Sequence, residues 1–243
     1  MQSISRRNTL KAGFGLIAVG LLAACGAPAA TTAPTSAPAA TQPSAATATS
    51  QPGATTAAGA PATDGVVFQI DPATTKASFS IGEVLLGKPN TVVGTTSKVT
   101  GTVTATTSNP ASTKIGTIQI DAATFTTDSD MRNGAIKRFI LGSAQSKYQF
   151  ITFEPTKIDG LTGSASAGTA MPVKVTGNLK VKDAVKPVTF EGTVTLKSDT
   201  QIDGDLKATV TRSDFGLTIP NVPSVADVTE EVKLELQFTA MKQ

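Results

Sequence analysis

EVKLELQFTA, residues 231–240, alternates without a fault: Val232, Leu234, Leu236 and Phe238 fall on one face, Lys233, Glu235, Gln237 and Thr239 on the other. A period of two is that of a β-strand with one face buried and one wet. The same pattern recurs upstream. KASFSI places Ala77, Phe79 and Ile81 on one side, and KVTGTVTA alternates Val99, Gly101 and Val103 with threonines. GDLKATVT does so with Leu206, Ala208 and Val210, while GNLKVK and VTFEGTVTLK read as further strands, with Asp203-Gly204 as a turn signal. A single stretch has helical spacing. In TTDSDMRNGAIKRFIL, Asp128 or Ser129 is the candidate N-cap, and Met131, Ile136, Phe139 and Ile140 fall roughly on one stripe that Asn133-Gly134 interrupts. Many short antiparallel strands with one short helix predict an all-β sandwich or barrel, and barrel closure would protect the edge strands.

The strand-like pattern occupies only the last three quarters of the chain. Charges and aromatics begin together at TDGVVFQID, and residues 65–243 are enough for one domain. From Gly26 to Thr63 there is no charged and no aromatic residue, only Ala, Thr, Pro, Ser, Gln and Gly. Such a segment cannot bury enough apolar surface to offset its ordering entropy, so residues 25–64 are expected to be a disordered tether. Its six prolines set a reach between roughly 35 Å as a flexible coil and about 120 Å as polyproline.

Residues 1–24 read as an export signal. SRRNTLK resembles the twin-arginine motif through Arg6 and Arg7. The apolar run AGFGLIAVGLLAA follows; as a helix it would span about 20 Å, short of the roughly 30 Å hydrocarbon core. At its end LAAC resembles the lipobox of bacterial lipoproteins, which implies cleavage before Cys25 and lipidation of its thiol. The expected product is exported and held by Cys25 on the outer face of the cell membrane or in the periplasm. Cleavage removes three of the 21 basic residues and none of the 18 acidic ones, so the mature chain has no formal net charge. Overall charge therefore gives no reason to expect a nucleic-acid partner.

Composition also narrows the chemistry. One cysteine makes no intramolecular disulfide, and a chain without histidine has neither a His/Cys zinc site nor a histidine-based catalytic triad. DSDMRNG fails as a calcium loop, because Arg132 occupies a ligand position and Phe139 stands where the bidentate acid belongs. The expectation is a non-enzyme with no cofactor.

Four stretches in order, FQIDPATTKASFSI, KYQFITFEPTKI, GNLKVKDAVKPVTFEG and RSDFGL, together resemble the YceI-like family of periplasmic polyisoprenoid-binding proteins. FQIDPATTKASFSI resembles the family's opening strands. KYQFITFEPTKI matches K-Y-P-x-I-x-F through Lys147, Tyr148, Ile151 and Phe153. GNLKVKDAVKPVTFEG matches G-x-L-x-I-x-G-x-x-x-P-V through Gly177, Leu179, Val181, Pro187 and Val188, and RSDFGL resembles the late R-x-D-F-G motif. Three departures stand out: RNGAI replaces R-D-x-H-L, Gln149 replaces a proline, and Asp183 replaces a glycine.

The resemblance implies an antiparallel lipocalin-like β-barrel of about eight strands with a short helix, and an isoprenoid lipid or quinone as partner. The expected lining is Phe79, Ile81, Phe153, Phe190, Phe215, Leu234 and Leu236, with Ile136, Phe139 and Ile140 closing or gating one end. Arg132, Lys137, Arg138 and Lys147 are candidates for a phosphate or quinone head group, against the alternative of a solvated basic face. An eight-stranded barrel is just wide enough to be filled by its own side chains or to hold one slender ligand. Alternation alone leaves open a solidly packed barrel that serves surface assembly, as it does a homodimer.

Overall fold

The computed structural model describes residues 65–243. The expectations placed on Arg6, Arg7, Cys25 and the tether lie outside the described residues.

Thirteen strand segments form one antiparallel sheet. β1 (Val66–Ile70) and β2 (Lys76–Leu85) do not pair with each other; both run along the same edge of the last strand, β13 (Glu231–Lys242). Between them the chain bulges at Asp71–Thr75, held where Asp71 N–H donates to the Thr239 carbonyl at 2.8 Å. β3 (Lys88–Thr96), β4 (Val99–Thr100) and β5 (Thr102–Ala105) likewise make one interrupted strand. So do β6 (Lys114–Ile115) and β7 (Ile118–Asp121). β8 (Phe150–Asp159), β9 (Ala170–Val181), β10 (Ala184–Ser198) and β11 (Gln201–Thr211) follow, each paired with its predecessor in the chain. The short β12 (Val225–Ala226) only adds to the tip of β2.

Counted as composite strands there are eight, in an up-and-down meander whose last member, β13, pairs with both β11 and the first. Among the described residues closure leaves no long free edge for another strand to pair with. The expected turn at Asp203-Gly204 is not one. Both residues lie inside β11, and the chain reverses at Asp199-Thr200. Gly204 is there because the ring of Phe238, its cross-strand partner, lies over it: a Cβ at Gly204 would meet Phe238 Cε1 at 2.2 Å. A turn signal in sequence is in this case a platform for an aromatic ring.

The helical segment connects β7 to β8. Ser129, rather than Asp128, caps α1 (Asp130–Ala135) by accepting from Arg132 N–H at 3.4 Å. A π-turn over Ile136–Ile140 follows, with Leu141 N–H donating to Ile136 O at 2.8 Å. Ile136 and Leu141 are buried, whereas Met131 is 86% and Phe139 67% exposed.

Candidate functional site

In a closed meander every strand sends alternate residues inward. Here the inward residues do not fill the space: a cavity of about 750 Å³ runs through the barrel, with an almost wholly apolar wall. The barrel is hollow, which alternation had left undecided. All ten apolar residues named from sequence stand along this wall: Phe79 and Ile81 on β2, Phe153 on β8, Phe190 on β10, Leu234 and Leu236 on β13, Phe215 in the turn after β11, and Ile136, Phe139 and Ile140 in the helical segment. Phe125, Leu217 and Val228, not singled out in the sequence, join them.

Aromatic rings and glycines set the shape of the wall. Phe79 faces its cross-strand partner Gly94, where a Cβ would lie 2.2 Å from the ring, and meets Phe125 edge-on at 5.3 Å between centroids. Phe153 meets Phe190 edge-on at 5.0 Å and lies over Gly177. These rings rest on bare backbone and on each other, so they are held against the wall instead of collapsing across the bore.

One end of the barrel carries the β2–β3 hairpin tip, the helical segment, the β9–β10 turn and the long β11–β13 connection. The chain enters at Gly65, at the opposite end. Glu83 sits at this mouth. It occupies the inward phase of β2 set by Ala77, Phe79 and Ile81, a signal present in the sequence but unused. Its carboxylate accepts from Asn90, its cross-strand partner, at 2.9 Å and from Arg132 at 3.3 Å, and its side chain is 7% exposed. Arg132 also binds the carboxylate of Asp128.

The four basic head-group candidates are not brought together. Arg132 alone reaches the cavity wall. Lys137 and Arg138 are exposed, and the Arg138 guanidinium lies over Gly134, the residue that opened the gap in the helical stripe. Lys147 is held on the outside by Asp183 at 2.8 Å and by the Tyr148 hydroxyl at 3.1 Å; these hydrogen bonds push its ammonium up to about 12. The same contacts, first with Lys147 and then with Tyr148, hold the Asp183 carboxyl below its ordinary value. Lys147 and Tyr148 thus stitch the turn before β8 to the β9–β10 hairpin. The acid that replaces the family's glycine is the group they hold.

Other motif residues are also architectural. Gln149 donates to Asp121 at 3.0 Å. Arg212 donates to the carbonyls of Leu217 at 3.2 Å and Thr229 at 3.1 Å and pairs with Glu230, which binds both ends of the β11–β13 connection. Gly216 closes that turn with φ +63°, a left-handed conformation natural to glycine.

No curated protein matches the chain in a sequence comparison. Among solved structures it is similar to BcnA of Burkholderia cenocepacia, at 23% identity and TM-score 0.54 over 71% of this chain and 99% of that one. It is also similar to a structure from Saccharophagus degradans, described as a polyisoprenoid binding domain implicated in plant cell wall breakdown. The identity there is 16% and the TM-score 0.57, over 73% of this chain and 99% of the other. At these identities the likeness is one of fold. The YceI-like domain profile, by contrast, matches residues 68–240, from the first strand of the barrel to the last, and the chain belongs to the YceI-like family.

Proposed function

We propose that this protein binds a polyisoprenoid-type lipid, an isoprenoid quinone or prenyl chain, within the barrel and carries it without chemical change. The observation that supports this reading is the 750 Å³ apolar cavity, whose size falls within the roughly 300–1,000 Å³ of small-molecule sites. Membership of a family with a structural neighbour described as polyisoprenoid-binding adds to it. We further propose that the protein works outside the cytoplasm, anchored through a lipidated Cys25.

Energetics favour exchange over storage. Burying a chain of about 40 carbons from water at about 0.8 kcal/mol per CH₂ would release some 30 kcal/mol, beyond the ceiling near 18–21 kcal/mol for real complexes. The relevant starting point is a bilayer, and moving the chain from one apolar medium to another yields almost none of that. Selectivity then rests on the shape of the bore and on the contacts at its mouth. Native mass spectrometry of the chain released from its own membranes tests the proposal. A retained lipid of prenyl mass is expected; an apo mass alone, together with no uptake of prenyl lipids or quinones, would refute it.

A further inference from the structure

The charged residues at the mouth assign a class of head group. Resting on the reading of the cavity as a prenyl-lipid site, we infer that it accepts uncharged head groups, such as an alcohol or a quinone, and rejects prenyl phosphates. Among the described residues Arg132 and Arg212 are the only cations on the cavity wall. Neither has charge to spare. Arg212 is committed to Glu230 and to the carbonyls of Leu217 and Thr229. Arg132 lies between two carboxylates, Glu83 inside and Asp128 outside.

The three groups at the mouth form a line from interior to solvent, their side chains 7%, 21% and 77% exposed for Glu83, Arg132 and Asp128. Together they carry one net negative charge. A phosphate entering here meets a guanidinium already neutralised and a buried carboxylate behind it. It would have to displace Glu83 from Arg132, leaving that carboxylate with Asn90 alone, a costly state for a buried charge. A hydroxyl or a quinone carbonyl needs no such displacement.

The experiment compares geranylgeraniol with geranylgeranyl diphosphate, which share one chain and differ at the head, as competitors against a fluorescent prenyl probe on the purified full chain. The alcohol should bind at least tenfold more tightly, and added salt should tighten the diphosphate alone, because it screens a repulsion. Glu83→Gln and Asp128→Asn should each improve diphosphate binding about tenfold relative to the alcohol. Asp128 is exposed, so its variant keeps the test open should Glu83→Gln misfold. Equal or tighter binding of the diphosphate by the parent, or weakening of the diphosphate by salt, would overturn the inference while leaving the prenyl site standing. Binding of neither compound would instead remove the prenyl site itself, and the inference with it.

Discussion

Gly94→Ala puts the smallest possible probe under the ring that shapes one side of the bore. A Cβ on residue 94 would lie 2.2 Å from Cε1 and 2.3 Å from Cζ of Phe79, where ordinary contact begins near 3.4 Å, so the ring must move by more than 1 Å. Its movement is limited on the other side by Phe125, 5.3 Å away between centroids. Overpacking of this kind costs about 1–3 kcal/mol, and loss of the edge-on pair about 0.5–1.5 kcal/mol more. Replacing glycine in a strand returns about 0.5–1 kcal/mol through the unfolded chain. The expected net loss is about 1–3 kcal/mol, or a fall in Tm of roughly 2–4 °C for each kcal/mol in a domain of this size. Urea unfolding followed by far-ultraviolet circular dichroism is the suitable assay, because the chain has no tryptophan and a single tyrosine. The decisive comparison is a double-mutant cycle. With Phe79→Leu in place the alanine should cost at least about 1 kcal/mol less, since the clashing ring is gone. A Gly94→Ala protein as stable as the parent, or an unchanged penalty in the Phe79→Leu background, would refute the account of these ring-on-glycine contacts.

Three other perturbations probe separate parts of the barrel. In Asp183→Asn the Lys147 ammonium should fall from about 12 toward its ordinary 10.5, measured by NMR titration of the side-chain nitrogen. The raised Lys147 value means that the pair's contribution is complete below pH 10.5 and is lost as pH climbs through about 12; the lowered Asp183 value means that it is complete above pH 3.8 and is lost on acidification below that. Stability should thus show no step from this pair between those limits. Arg212→Lys keeps the charge but loses the planar fork that reaches two carbonyls and a carboxylate. A cost of about 1–3 kcal/mol is expected, with faster amide exchange confined to residues 217–229; exchange rising evenly across the barrel would contradict the clamp. Phe153→Ala removes a buried ring that packs on Phe190 and Gly177, and should cost about 3–5 kcal/mol by chemical denaturation. A loss under 1 kcal/mol would show that the ring is not part of the wall's packing.

The inward face of each strand was legible because a period of two admits one assignment once the buried face is known. Ala77, Phe79, Ile81, Leu206, Ala208, Leu234 and Leu236 are where their alternation puts them. The failures have specific causes. Asp203-Gly204 carries the composition of a turn, but only the register between β11 and β13 shows Phe238 covering that glycine. The helical residues Met131, Ile136, Phe139 and Ile140 do line the cavity together, yet Met131 and Phe139 stay exposed there, which only their place at the mouth decides. The four basic residues looked like one patch because they are close in sequence. The fold sends Lys147 to the outer side of the β9–β10 turn and Arg132 to the mouth.

EVKLELQFTA by itself determined that its segment is a strand with one apolar face, and similar stretches determined that the domain is all-β. Alternation is a local property, set by the geometry of a single extended chain. It could not say that this strand closes the barrel by holding β11 on one edge and β1 and β2, in succession, on the other. Nor could it say that the enclosed space stays open. Whether inward side chains meet across a barrel depends on its width, and on which rings lie back against glycines of neighbouring strands. Those are relations between residues far apart in sequence, and only the tertiary structure fixes them. The mouth follows the same rule: Glu83 and Arg132, 49 positions apart, became one neutralised pair only when the chain closed.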